Sequence, residues 1–290
     1  MFSLSYVFRA LGVLLRYPSA LLCVPGGFDS VADRIDQLRR TEWRLKPIGV
    51  KHTFDFYIYL NPSDTIISPA IGLTGSHEPH ITELFRKILA KGMTVVDVGA
   101  NIGWFTLLSA TIVGDTGEVV SVEPEPTNFS FLLRSVELNR FSNVKLFQVC
   151  ASNSRGNQIL YLSSGNLGAH STINQVSDKK IEVPSDTLDA ILGKIGVDKI
   201  DLLKIDVEGA EPYVLEGCKE HLPRTRNIII EWNPGEWKRR RNLLKMILRE
   251  FDVYQIVRSP FLIKKITKDS LLSFNTSAAN LYMRRKSLQQ

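Results

Sequence analysis

The chain has 290 residues, 44% of them hydrophobic and 23% charged, with a net charge of +6. That length holds one large domain or a domain with an extension, and the composition is that of a globular protein, not of a disordered or fibrous one. The mild basic excess is partly clustered at 238–241 and 284–286, which reads as solvated helix faces and a polar tail, and no interleaving of aromatic with basic residues marks a nucleic-acid track.

Residues 1–27 are apolar but broken by Arg9, Arg16 and Pro18. A transmembrane helix needs about 20 uninterrupted apolar residues, and no clean small-residue cleavage site marks a signal peptide. The segment either lies on a membrane surface, with Arg9 and Arg16 reaching the headgroups, or covers an apolar patch of its own domain. Residues 29–46 read as a charged helix with Val31, Ile35, Leu38 and Trp43 on or near one face. Alternation over 52–60 (Phe54, Phe56, Ile58, Leu60) predicts a half-buried strand. After the turn Asn61-Pro-Ser-Asp, residues 65–71 are expected to supply a second strand and close a hairpin. Residues 81–90 have helix period.

From residue 94 strands and helices alternate. Strands are predicted at 95–98, 119–123, 145–151, 201–206 and 228–232, with helices starting near Trp104, Asn128, Glu211 and Trp237. Strand followed by helix, repeated, means a doubly wound, mostly parallel α/β sheet. Residues 158–184 interrupt the rhythm with two short alternating runs around a polar loop, an inserted hairpin. Residues 254–257 and 280–284 read as the closing strands of a seven-stranded sheet. The expected organisation is an apolar segment 1–27, a helix and hairpin extension 28–92, and a catalytic domain 93–290. Cys23, Cys150 and Cys218 are odd in number and far apart, so neither a disulfide framework nor a zinc site follows. Reduced thiols in a cytoplasmic compartment are the simplest account. The sequon Asn128-Phe-Ser opens a predicted helix, where a glycan would not fit.

Residues 94–106 read T-V-V-D-V-G-A-N-I-G-W-F-T, a buried strand running into a glycine turn and a helix. The first turn of such a helix has unpaired N–H groups that can cradle a polar ligand. A dinucleotide fingerprint would place glycine where Asn101 stands, which disfavours a pyrophosphate. Glu123 ends the next strand, about 20 residues after the turn, where a carboxylate accepts ribose hydroxyls. An adenosine is therefore indicated. An NAD-dependent oxidoreductase or epimerase would also need a Tyr-x-x-x-Lys pair, which is not found.

D-V-G-A-N-I-G, S-V-E-P-E-P, L-K-I-D-V-E-G-A-E (residues 203–211) and I-I-I-E-W (228–232) together resemble the FkbM-type methyltransferases. The likeness runs from about residue 48 to the end of the chain. It implies a class I, Rossmann-like fold and S-adenosylmethionine as cofactor. It also implies that Asp97 helps place the methionine amino group and that Gly99, Ala100, Asn101 and Gly103 border the methionine. Glu123 would bind ribose, Pro124 would stiffen the turn against adenine, and Cys150, Ala151 and Ser152 would line the adenine edge. Glu78 would contact the amino-acid end of the cofactor; where the family often has an aromatic before that glutamate, this chain has His77.

The expected reaction is methylation of a hydroxyl on a sugar, glycan or other small molecule, with a nitrogen or other acceptor as the alternative. Asp206, Glu208 and Glu231 stand at strand ends, in the crevice where doubly wound sheets bind ligands, and are candidates for the base. Lys204 shares a strand face with Asp206 as its charge partner. Glu208 and Glu211 could instead cap the following helix. Asp206, Glu231 and Asn233 have the oxygen chemistry of a divalent-cation site, but no metal is expected. In the inserted loop His170 is a candidate base, against the plainer reading of a bystander.

Overall fold

The computed structural model describes residues 49–175, 177–257, 262–267, 271 and 279–286. The apolar segment 1–27 and the helix expected at 29–46 lie outside them. None of the described helices is long and apolar enough to cross a membrane.

The frame is an eight-stranded sheet. Five parallel strands, β5 (Val144–Phe147), β4 (Glu118–Val122), β3 (Thr94–Val98), β9 (Ile200–Ile205) and β10 (Thr225–Trp232), lie side by side in that order. Next to β10 comes β13 (Ala279–Arg285), antiparallel, then β11 (Phe251–Val257) and at the edge β12 (Leu262–Lys265). β3, β4, β9 and β10 are near-continuous apolar runs because helices cover both faces of a parallel sheet. The chain steps outward from β3 to β4 and β5, then returns to place β9 on the other side of β3. The strand order therefore reverses between β3 and β9, and the crevice at their C-terminal ends is where such sheets bind ligands. The sheet holds the seven strands expected from the pattern, plus β12.

Three segments differ from the sequence reading. The run 52–60 is itself a hairpin, β1 (Val50–Thr53) with β2 (Phe56–Tyr59). Phe54 and Asp55 turn the chain with φ of 46° and 65°, the paired positive values of a tight hairpin turn. Residues expected as its second strand form helix α1 (Ile67–Thr74) instead. The Asp64 carboxylate accepts the Ile66 and Ser68 N–H groups at 3.2 and 2.5 Å, which opens a helix and not a strand. The strand expected at 145–151 is split. β5 ends at Phe147, and β6 (Cys150–Ser152) joins a second, three-stranded sheet beside β8 (Lys180–Thr187), which also pairs with β7 (Gly156–Tyr161). The inserted hairpin thus recruits a third strand from the main run.

Helix α2 (Pro79–Ile88) buries Ile81, Leu84 and Phe85, and α3 (Trp104–Val113) follows β3. The Trp104 indole N–H donates to Thr82 Oγ1 at 2.8 Å and ties α3 to α2. α4 (Pro126–Asn139) satisfies the outer edge of β2. Asn139 Oδ1 accepts the Tyr57 N–H and its Nδ2 donates to the Tyr57 carbonyl, at 2.7 and 2.6 Å. Helices α5 (Leu188–Gly193), α6 (Glu211–Glu216), α7 (Pro234–Arg239) and α8 (Arg241–Glu250) follow, with a short 3-10 turn at Leu222–Arg224 before β10.

Candidate active site

The β3–α3 turn is built by backbone constraints. Gly99 has φ +76°, and a Cβ there would lie 1.9 Å from the Asp206 carbonyl. Only glycine lets the turn touch the β9–α6 loop across the switch point. Asn101 also takes a left-handed φ, 52°, which asparagine tolerates. Its N–H donates to Glu123 Oε2 at 2.8 Å, while the Glu125 N–H donates to Glu123 Oε1 at 2.9 Å. Glu123 is 6% exposed, and burial pushes its carboxyl up to about 7. Two cavities adjoin at this turn, sharing Gly99, Asn101, Gly168 and Asp206.

The first cavity is lined by Glu123, Pro124, Asn128, Cys150 and Ala151, and roofed by Leu167, Gly168 and His170 of the inserted loop. The roof is tied down from three sides. Asn101 Nδ2 and Asn128 Nδ2 both donate to the Leu167 carbonyl, at 3.1 and 2.9 Å. The Leu167 N–H donates to Asp64 Oδ1 at 3.3 Å. His170 Nδ1 accepts the Ser163 N–H at 2.9 Å, and burial lowers its pKa. In the neutral ring Nε2 then carries the proton, and His170 lines this first cavity together with Glu123 and Asp206.

The second cavity, about 280 Å³, lies beyond the turn. Asp206, Glu208 and Glu231 face it, each offering an oxygen within 4.8 Å of the others. Burial, with Glu231 and Asp206 close by, raises Glu208 to about 8; burial and Asp206 raise Glu231 to about 7. Glu208 stands at φ 54°, a strained value for a non-glycine residue. Its carbonyl accepts from Ser171 Oγ and Asn174 Nδ2 of the inserted loop, at 2.8 and 3.2 Å.

Lys204 is the buried cation beneath these acids. Its Nζ lies 3.3 Å from Asp206 Oδ2, 3.6 Å from Asp97 Oδ1 and 5.1 Å from the Phe105 ring centroid. Burial opposes its charge, but the carboxylates of Asp206, Asp97 and Glu78 outweigh that and hold it firmly protonated. Asp97 has no exposure and accepts from Thr106 Oγ1 at 2.7 Å; burial raises its carboxyl despite Lys204.

The remaining candidates divide. Glu78 and Ala100 line the second cavity, with Glu78 at φ 41° and Asn280 Nδ2 donating to it at 3.4 Å. Burial lowers His77 to about 4, so it is neutral there. Gly103 N-caps α3 and packs against Leu132, and Ser152 turns its carbonyl toward Gly217; neither lines either of these two cavities. Glu211 braces its own loop by accepting the Val207 and Gly209 N–H groups at 3.2 and 3.0 Å. Asn233 caps α7, accepting the Gly235 N–H at 3.3 Å. Asp64, Asn128, Asn166 and Asn280 were not singled out as site residues in the sequence. Their cue was slight: small polar residues at a turn, a helix start and a strand start.

A doubly wound sheet with a buried carboxylate at the end of the strand beside its first, and acids across the switch point, is the arrangement of an adenosine-binding enzyme. The model of the Methyltransferase FkbM domain matches residues 97–255. Methyltransferase sdnD of Sordaria araneosa is 32% identical over 175 residues, 49% of this chain and 67% of that protein. Methyltransferase 1 of Beauveria bassiana (strain ARSEF 2860) is 28% identical over 158 residues, 47% of this chain and 63% of that protein. The crystal structure of Methyltransferase FkbM from Methylobacillus flagellatus KT aligns at 14% identity and a TM-score of 0.43, over 74% of this chain and 52% of that one, a likeness too distant to bear on the reaction. The chain belongs to the FkbM methyltransferase family.

The methyl donor implied by the sequence motifs fits the residues present. Among the described residues no cation pairs with the Glu123 carboxylate, so its free lone pairs can take the two ribose hydroxyls. The adjoining second cavity leaves room beyond the turn for the methionine end and an acceptor.

Proposed function

We propose that the protein is an S-adenosylmethionine-dependent O-methyltransferase acting on a hydroxyl of a sugar, a glycan or another small polyhydroxylated molecule. The observation that carries this reading is the group Asp206, Glu208 and Glu231, gathered within 4.8 Å on the cavity beyond the Gly99 turn. The bound donor supplies a methyl carbon activated by its sulfonium, so the protein's part is alignment and removal of the acceptor's proton. Glu123 holds the ribose, Pro124 and Ala151 flank the adenine, and Gly99, Ala100 and Asn101 border the methionine. Glu78 serves the amino-acid end. Lys204, 3.3 Å from its carboxylate, holds Asp206 in place. A carboxylate whose pKa lies at 7 to 8, as for Glu231 and Glu208, is matched to taking a hydroxyl proton near neutral pH.

The same acids weigh against an amine acceptor. Three carboxylates around an amine favour its protonated form, which has no lone pair to attack with. The 280 Å³ cavity suits a small molecule or a single sugar unit of a glycan. The test is transfer of a labelled methyl group from S-adenosylmethionine to a panel of sugars, polyols, phenols and amines. Label found as a methyl ether supports the reading; label on nitrogen alone overturns it.

A further inference from the structure

In the sequence Asn128 marks only the start of a helix and a sequon with no room for a glycan. The structure places it at the first cavity, 1% exposed, in the opening turn of α4. Its backbone N–H is used by Glu125 Oε2 at 2.6 Å. Its side-chain orientation is not free. The Leu167 carbonyl can only accept, so the amide nitrogen of Asn128 must face it, at 2.9 Å. That leaves Oδ1 on the other side, buried and accepting no hydrogen bond. A buried amide oxygen left bare is costly and rare in folded proteins. It marks a place where a donor is missing.

The cavity says which donor. Asn128 shares its walls with Glu123 and Pro124, where the ribose sits in the proposed function, and with the small apolar side of Cys150, Ala151 and Leu160. A flat base seated there presents ring faces to the apolar wall and one N–H donor group at its edge. In adenine that group is the exocyclic amine. We propose that Asn128 Oδ1 accepts a hydrogen bond from the exocyclic amino group of the cofactor's adenine and so selects adenine as the base. Asn128 Nδ2 simultaneously holds the Leu167 carbonyl, so one side chain joins the base to the roof of its own pocket. This inference rests on the reading of the first cavity as the adenosine site.

The test is calorimetric binding to the full-length protein, without turnover. The probes are S-adenosylhomocysteine and its analogue with purine in place of adenine, which lacks the amino group but keeps every ring nitrogen. Wild type is expected to bind the analogue about tenfold more weakly, the order of a lost hydrogen bond that strands a buried acceptor. In Asn128→Ala the two probes should bind within twofold of each other, completing a double-mutant cycle. Asn128→Asp, which keeps an acceptor oxygen and the side-chain volume, should still prefer adenine; it also carries the test if the alanine variant does not fold. Equal binding of both probes by wild type, or an undiminished preference in Asn128→Ala, overturns the inference and leaves the cofactor reading standing. Loss of preference in a folded Asn128→Asp overturns it as well. If wild type binds neither probe, the adenosine reading of the cavity itself fails and takes this inference with it.

Discussion

Lys204 carries its ammonium 3.3 Å from the carboxylate of Asp206, two residues on and just past the end of β9, and 3.6 Å from Asp97 on the neighbouring strand. Its side chain is 5% exposed. Removing one member of a buried charge pair strands the other, which costs about 3–5 kcal/mol. Lys204→Met, which keeps the volume, is expected to lower stability by about 3 kcal/mol in urea unfolding. Adding Asp97→Asn should recover much of that loss, because the stranded charge is gone. A loss below about 1 kcal/mol in the single variant would show that the pair carries no net load.

The same ammonium bears on a divalent cation. A metal held by Asp206, Glu208 and Glu231 would stand against Lys204 across the Asp206 carboxylate. Like charges so close in a buried site repel strongly. Methyl transfer is therefore expected to be unchanged by EDTA and by added magnesium. Activity lost to EDTA and restored by magnesium would contradict this.

Much of the frame could be read from residues alone. Val95, Val96 and Val98, or Leu202, Leu203 and Ile205, form near-continuous apolar runs of the kind a covered parallel strand shows. Glu123 and Asp206 stood at strand ends, and topology brought them to one crevice. What was not legible depends on pairing at a distance. Nothing local shows that Phe147 ends one sheet and Cys150 begins another, since each side of the break is equally strand-like. The helix at Ile67–Thr74 turned on Asp64, whose carboxylate could cap a helix or decorate a turn. Asn128 was hidden because its role needs Leu167, 39 residues away.

Burial sets an unusual pH dependence. Glu208 and Glu211 rise to about 8, and Glu123 and Glu231 to about 7, from an ordinary 4.5. Below pH 4.5 folded and unfolded chains both hold these protons. Above it the unfolded chain releases them first, so the folded state binds more protons and stability falls as pH rises toward 8. With Glu208 or Glu231 as the proposed base, turnover is expected to run the other way, because that base must be ionised. Thermal melts of the ligand-free protein should decline from pH 5 to 8 while the methyl-transfer rate climbs. Glu208→Gln should flatten the melting trend. A rate that falls across the same interval would exclude a carboxylate base.

Two glycines separate strain from contact. Gly196 has φ +73° with nothing within 4 Å of an added Cβ, whereas at Gly99 the added Cβ meets the Asp206 carbonyl at 1.9 Å. Gly196→Ala should cost only the left-handed penalty, about 1–2 kcal/mol, and leave activity alone. Gly99→Ala should cost more than that and displace the loop that carries Asp206, abolishing turnover. Similar urea midpoints and similar rates for the two variants would mean that the turn does not need the close approach.

The sharpest division of roles is between Glu123 and Asp206, which sit on opposite sides of the Gly99 turn. Glu123 accepts the Asn101 and Glu125 N–H groups and lines the first cavity. Asp206 pairs with Lys204 and also faces the second. In Glu123→Gln one acceptor oxygen becomes an amide that points donors at backbone donors and at the ribose. Affinity for S-adenosylhomocysteine should fall about tenfold or more. Asp206→Asn keeps shape and leaves the ribose contacts intact, so that affinity should hold within about threefold, while kcat falls about 10²–10⁴-fold with the loss of a base or of its positioning. Calorimetry and single-turnover rates read the two effects separately. Equal loss of affinity in both variants would merge the two cavities into one functional unit and end the assignment of Asp206 to the chemical step.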